Sequence, residues 1–148
     1  MMPGGAGPSP WAWRLGYGGL VPFVGLAGAL WIGWPADPVW VNLALLGYGA
    51  IIASFLGAIH WGLVMRDGSA QSVPSLLWGV VPGLAGWLAL MLGPASGPLV
   101  ITALLWLCFA VDRVLYPRFG LRAWLPMRLR LTLVASISCV AAAAAAAA

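Results

Sequence analysis

From Trp40 to Met65 no side chain carries a formal charge, and inside that run lies the stretch Gly47 to Gly62, GYGAIIASFLGAIHWG. Set on a helix at about 100° per residue, its residues separate into two half-cylinders. Gly47, Gly49, Ala50, Ala53, Ser54, Gly57, Ala58, His60 and Trp61 share one side, and Ile51, Ile52, Phe55, Leu56, Ile59 and Leu63 share the other. A helix with small residues on one half and bulky apolar residues on the other has no face suited to water. It is suited to pressing its small side, here Gly49, Ala50, Ala53, Ser54, Gly57 and Ala58, against other helices while lipid takes the bulky side.

Composition extends this to the whole chain. Of 148 residues, 63% are hydrophobic and 7% charged, and neither Lys nor Glu occurs. A water-soluble domain charges roughly a quarter of its residues, so this chain could not cover itself with a wetted surface. The net charge of +4 comes from seven Arg against three Asp. Such a balance could suit nucleic acid, but the arginines occupy short connections between apolar runs, as membrane-flanking cations do. Nucleic acid is therefore not expected as a partner.

The runs predict five spans, at about 15–34, 40–65, 74–92, 99–116 and 127–148. A Gly- and Pro-rich segment, residues 1–14, is expected to be disordered. A kink is expected at Pro22. Ala27-Gly28-Ala29 resembles a signal-cleavage site, yet the apolar run exceeds an ordinary signal core and bulky Leu30 and Trp31 follow at once, which favours a retained span. Pro35, Asp37 and Pro38 make the first turn; Arg66, Asp67, Gly68 and Ser69 end the second span. Gly93 to Pro98 reads as a short uncharged loop, and 117–126 as a connector in the headgroup layer. The last span needs Ala141 to Ala148 to reach the roughly 20 residues that cross about 30 Å.

Five spans alternate sides, and this places all seven arginines on one face: Arg14, Arg66, Arg113, Arg118, Arg122, Arg128 and Arg130. Asp37 alone lies on the other. The positive-inside rule then predicts an all-α five-transmembrane-helix bundle with the N-terminus inside and the C-terminus outside. Trp11, Trp13, Trp61, Trp78 and Trp124 fall toward the inner boundary and Trp31, Trp34, Trp40 and Trp87 toward the outer, as interfacial belts do.

His60 is the single histidine, and Asp112 is the one acid inside a span. Ionisable groups at membrane depth are costly and mark sites. Counted from the span ends, the two lie at similar depth. Asp112 sits at a helix C-terminus and Arg128 and Arg130 at a helix N-terminus, placements that the backbone dipole disfavours singly and that pairing offsets. An inner-face polar cluster of His60, Arg66, Asp112, Arg128 and Arg130 is therefore expected.

The remaining chemistry is sparse. One histidine cannot supply two axial haem ligands, and Cys108 and Cys139 lie inside apolar runs as small packing residues. Ser54, Ser136 and Ser138 have no base at useful spacing, and no zinc, phosphate-loop or nucleophile-elbow pattern occurs. No cofactor, metal site or enzymatic activity is expected. The leading expectation is a non-catalytic membrane protein with an accessory, assembly or scaffold role, its partners being the bilayer and a membrane protein or second copy. The alternative is a small proton-linked carrier using His60 and Asp112.

Tyr48 to Gly62, a proline-led span with Pro74 and Pro82, Asp112-Arg113, Trp124 and the Arg128-Leu129-Arg130-Leu131-Thr132 run together resemble the domain-of-unknown-function family 3429. The likeness extends from Gly16 to about Val140. The family's aromatic pair before these arginines is replaced here by Trp124-Leu125-Pro126. The resemblance implies a small multi-pass protein of the bacterial inner membrane or the mitochondrial inner membrane, and it carries no catalytic residue.

Overall fold

The computed structural model describes residues 7–68 and 73–148; Met1–Ala6 and the Ser69 end of the second span lie outside them. Among the described residues the chain is helical, with no strand. Its helices are α1 (Pro10–Gly18), α2 (Val21–Trp31), α3 (Pro38–Asp67), α4 (Val73–Leu90), α5 (Gly93–Leu115) and α6 (Leu125–Ala147). Four stretches are long and apolar enough to cross a membrane: Pro38–Asp67, Val73–Leu90, Gly93–Phe119 and Arg122–Ala147.

The N-terminal region departs from expectation twice. Order begins inside the 1–14 segment, because Ser9 caps α1 by accepting from the Ala12 N–H and Pro10 takes a first-turn position where no donor is missed. The first apolar run is then two helices of 9 and 11 residues, each too short to span alone at 1.5 Å per residue. Pro22 has no N–H for the Gly18 carbonyl, and Gly18 and Gly19 resist helix at the break. The phenol of Tyr48 donates to the Gly19 carbonyl at 2.8 Å, fixing the joint to α3.

Asp37 starts α3 by accepting from the Val39 N–H at 2.9 Å, and Gly68 ends it with φ of 60° and its N–H on the Val64 carbonyl. The expected Gly93–Pro98 loop is instead the opening of α5. Pro94 fits a first turn, but Pro98 withholds the N–H that would reach the Pro94 carbonyl. Asn42 of α3 supplies the donor, its Nδ2 lying 3.3 Å from that oxygen. Two 3₁₀ turns, Tyr116–Phe119 and Arg122–Trp124, form the connector to α6. The alanine tract continues α6 without a break, and Ala142 and Ala143 are buried.

Around the bundle the neighbours run α3, α4, α5, α6, α2, with α3 and α5 also meeting across it. The seam between α3 and α4 is the tightest. A Cβ added at Gly57 would collide with the Gly79 carbonyl, and one at Gly86 would lie 3.0 Å from Ala50 Cα. Gly49 serves α5, where a Cβ would come within 2.8 Å of Ile101.

The two-sided reading of α3 needs correction. Ser54, Ala58 and Trp61 are exposed, whereas Leu56 and Leu63 of the bulky half are buried. Because α3 touches α2, α4, α5 and α6, more than half its circumference is covered. Ile51 and Phe55 do face outward, within a wide girdle of exposed apolar side chains. Soluble monomers rarely expose contiguous apolar patches beyond a few hundred Å².

A buried ion cluster joining three helices

Asp112 lies in the last turn of α5, His60 near the end of α3 and Arg128 in the first turn of α6. They are 1%, 0% and 6% exposed. Leu104, Leu105, Cys108 and Asp112 lie on the buried stripe of α5 at helical spacing, which aims the carboxyl inward. His60 follows Ala53, Leu56 and Gly57 on the buried side of α3.

The carboxylate divides its two oxygens between the neighbouring helices. Oδ2 accepts from Arg128 Nη2 at 2.7 Å and Nε at 2.9 Å, and Oδ1 lies 3.0 Å from His60 Nε2. A carboxylate has only acceptors, so His60 Nε2 carries the proton and donates. Its Nδ1 is buried with no partner among the described residues. Tyr116, itself buried, tilts over the imidazole with ring centres 6.3 Å apart.

Two of the five expected members lie elsewhere. Arg66 turns to its neighbour Asp67, with Nε 2.6 Å from Oδ1, and both side chains are exposed. Six residues place it about 240° around the helix from His60. Arg130 sits two positions from Arg128, so the two cannot face the same acid. It stacks over Trp13, 5.5 Å from the ring centre, and approaches the Tyr17 hydroxyl at 3.4 Å.

Several buried polar groups were missed by sequence reasoning. Asn42, the single asparagine, reaches the carbonyls of Pro94 and Ala142, at 3.3 and 3.5 Å. It thus joins α3, α5 and α6 again, at the end away from Asp112. Thr132 and Ser136 follow Arg128 at steps of four along the buried stripe of α6, and neither hydroxyl has a partner among the described residues. That spacing was a readable signal. No group of three His, Cys, Asp or Glu residues able to hold a metal occurs among the described residues, and Cys108 and Cys139 are buried free thiols.

Beside the cluster lies a cleft of about 370 Å³ between the α1–α2 pair, α3 and α6. Its walls are almost wholly apolar, with Tyr116, Arg128 and Thr132 contributing the polar positions.

A chain with these features has known relatives. It is 33% identical to transmembrane protein 69 of Xenopus tropicalis over 138 residues, which cover 90% of this chain and 53% of that protein. The chain thus spans about half the length of that relative. No solved structure matches. The family model described as protein of unknown function DUF3429 matches residues 8–144, and the chain belongs to that family.

Proposed function

We propose that this protein is a non-catalytic, five-crossing component of a bacterial inner membrane, with its N-terminus inside, whose role is to hold an arginine-bearing face toward a protein partner. The observation that carries the reading is the sealed ion cluster. His60 and Arg128 both bond the Asp112 carboxylate, and all three are buried, with His60 Nδ1 the one ring nitrogen left without a partner among the described residues, the arrangement of a packing lock. A proton-linked carrier would need water to reach His60 and Asp112 from one side, and their burial speaks against it.

The fifth crossing is supported by the course of the α1–α2 pair. A Cβ on Gly16 would meet Leu131 and Met127 near the start of α6, and Trp31 Nε1 donates to the Ala141 carbonyl near its end, at 3.0 Å. The arginines left exposed on one face, Arg113, Arg118 and Arg122 among them, supply the docking chemistry. Cross-linking in native membranes followed by purification of the tagged full chain tests the role. A stoichiometric membrane-protein neighbour recovered with the wild type, and lost with Arg113→Gln/Arg118→Gln/Arg122→Gln, is expected. Recovery of the chain alone from both would remove the accessory role.

A further inference from the structure

The cleft beside the ion cluster has three properties that together define an occupant. It opens sideways: Leu15 and Phe55 on its rim are 73% and 62% exposed, one on α1 and the other on α3. Its interior is apolar, reaching Phe23 and Ile52. Yet Thr132, only 2% exposed, lines it and has a hydroxyl without a partner among the described residues. A hydroxyl held in hydrocarbon is unfavourable unless it finds an acceptor.

The depth of that hydroxyl can be read from its neighbours. Arg130 is exposed and clustered with Trp13 and Tyr17, the side-chain set that settles at the boundary between headgroups and hydrocarbon. Thr132 lies two residues further along α6, about 3 Å deeper. This is the level of the ester carbonyls that join acyl chains to glycerol. From Ile59 to Ile52, both on the cleft wall, the apolar part continues for about 10 Å along α3, within the half-thickness of one leaflet. Trp124 and Ala12 also line the cleft, at the end of the bundle that carries the exposed Arg14, Arg122 and Arg130.

We infer that the cleft is a binding site for one anionic phospholipid of the arginine-side leaflet. An ester carbonyl accepts from Thr132 Oγ1, an acyl chain lies against Phe55, Ile52 and Phe23, and the phosphate lies at the end of the bundle that carries the exposed arginines. The negative headgroup follows from the charge of this end, since the acids nearest it, Asp67 and Asp112, are already bonded to Arg66 and Arg128. The inference rests on the arginine-face reading above and adds to its protein-docking role a single lipid site.

The test uses the full chain in nanodiscs of equimolar phosphatidylglycerol and phosphatidylcholine, released into native mass spectrometry. One phosphatidylglycerol should remain on the wild type. Ile59→Trp, which fills the cleft from α3, should lower its occupancy roughly tenfold through lost contact. Thr132→Val, which keeps the shape and removes the donor, should lower it about fivefold, whereas a merely structural threonine would leave occupancy unchanged. Retention of both lipids equally, retention by Ile59→Trp at the wild-type level, or co-purification of a different apolar molecule from native membranes in the lipid's place would overturn the assignment. Insertion into the discs is scored separately, so failure of the membrane placement is distinguishable from failure of the site.

Discussion

Asp112 answers for two other side chains, and its removal would leave Arg128 buried with a charge and no counter-charge. Breaking a buried pair from one side costs about 3–5 kcal/mol, while replacing the whole group with apolar residues can be close to neutral. Asp112→Ala should therefore lower thermal stability in lipid by about that amount, and Asp112→Ala/Arg128→Met should recover most of it. Equal losses in single and double variants, followed by thermal unfolding in nanodiscs, would show that the cluster is not coupled. The Asp112–Arg128 pair was legible in the sequence, because both residues oppose their own helix dipoles and sit at one depth. Arg66 and Arg130 share that end of the bundle, and the angle around their helices is what excludes them. Asn42 and Tyr48 were not legible as partners, since each serves a carbonyl near a proline on another helix, and a single sequence does not state which helices are neighbours.

At the scale of elements, close approach and interrupted backbone govern how the helices meet. Gly57 has the Gly79 carbonyl where a methyl group would go, whereas Gly47 faces open space. Gly57→Ala should force α3 and α4 apart and cost about 1–3 kcal/mol, and Gly47→Ala should be neutral or stabilising by up to about 1 kcal/mol; comparing their folded yield and melting temperature distinguishes packing from propensity. The bond from Asn42 to the Pro94 carbonyl makes a second, coupled prediction. Asn42→Leu removes the donor to that part-buried oxygen and to the buried Ala142 carbonyl and should cost about 1–3 kcal/mol. Pro98→Ala restores the missing N–H, so in that background the same substitution should cost about 1 kcal/mol less, a difference a double-mutant cycle reads directly. The boundaries of α5 were hidden from sequence reading for the same reason. A Gly-Pro-rich start looks like a loop until a side chain from elsewhere satisfies its carbonyl.

For the molecule as a whole, whether the chain crosses the bilayer four times or five turns on the α1–α2 pair. Neither helix is long enough to cross alone. Joined at Gly19 and Leu20, however, they run beside α6 from the level of Met127 to that of Ala141, about 21 Å of helix axis. Contact with both ends of a spanning neighbour favours the proposed fifth crossing over a pair lying flat in the headgroup layer. The arginine distribution supports the same proposal, because only an odd number of crossings keeps Arg14 on the face that holds Arg66 and Arg118. Reporter fusions to the full chain should accordingly place the N-terminus inside and the C-terminus outside, with the Asp37 turn outside and the connector containing Arg118 inside. If both termini report from one compartment, α1 and α2 do not form a crossing, and their contacts with α6 belong to some arrangement other than the folded protein in its membrane.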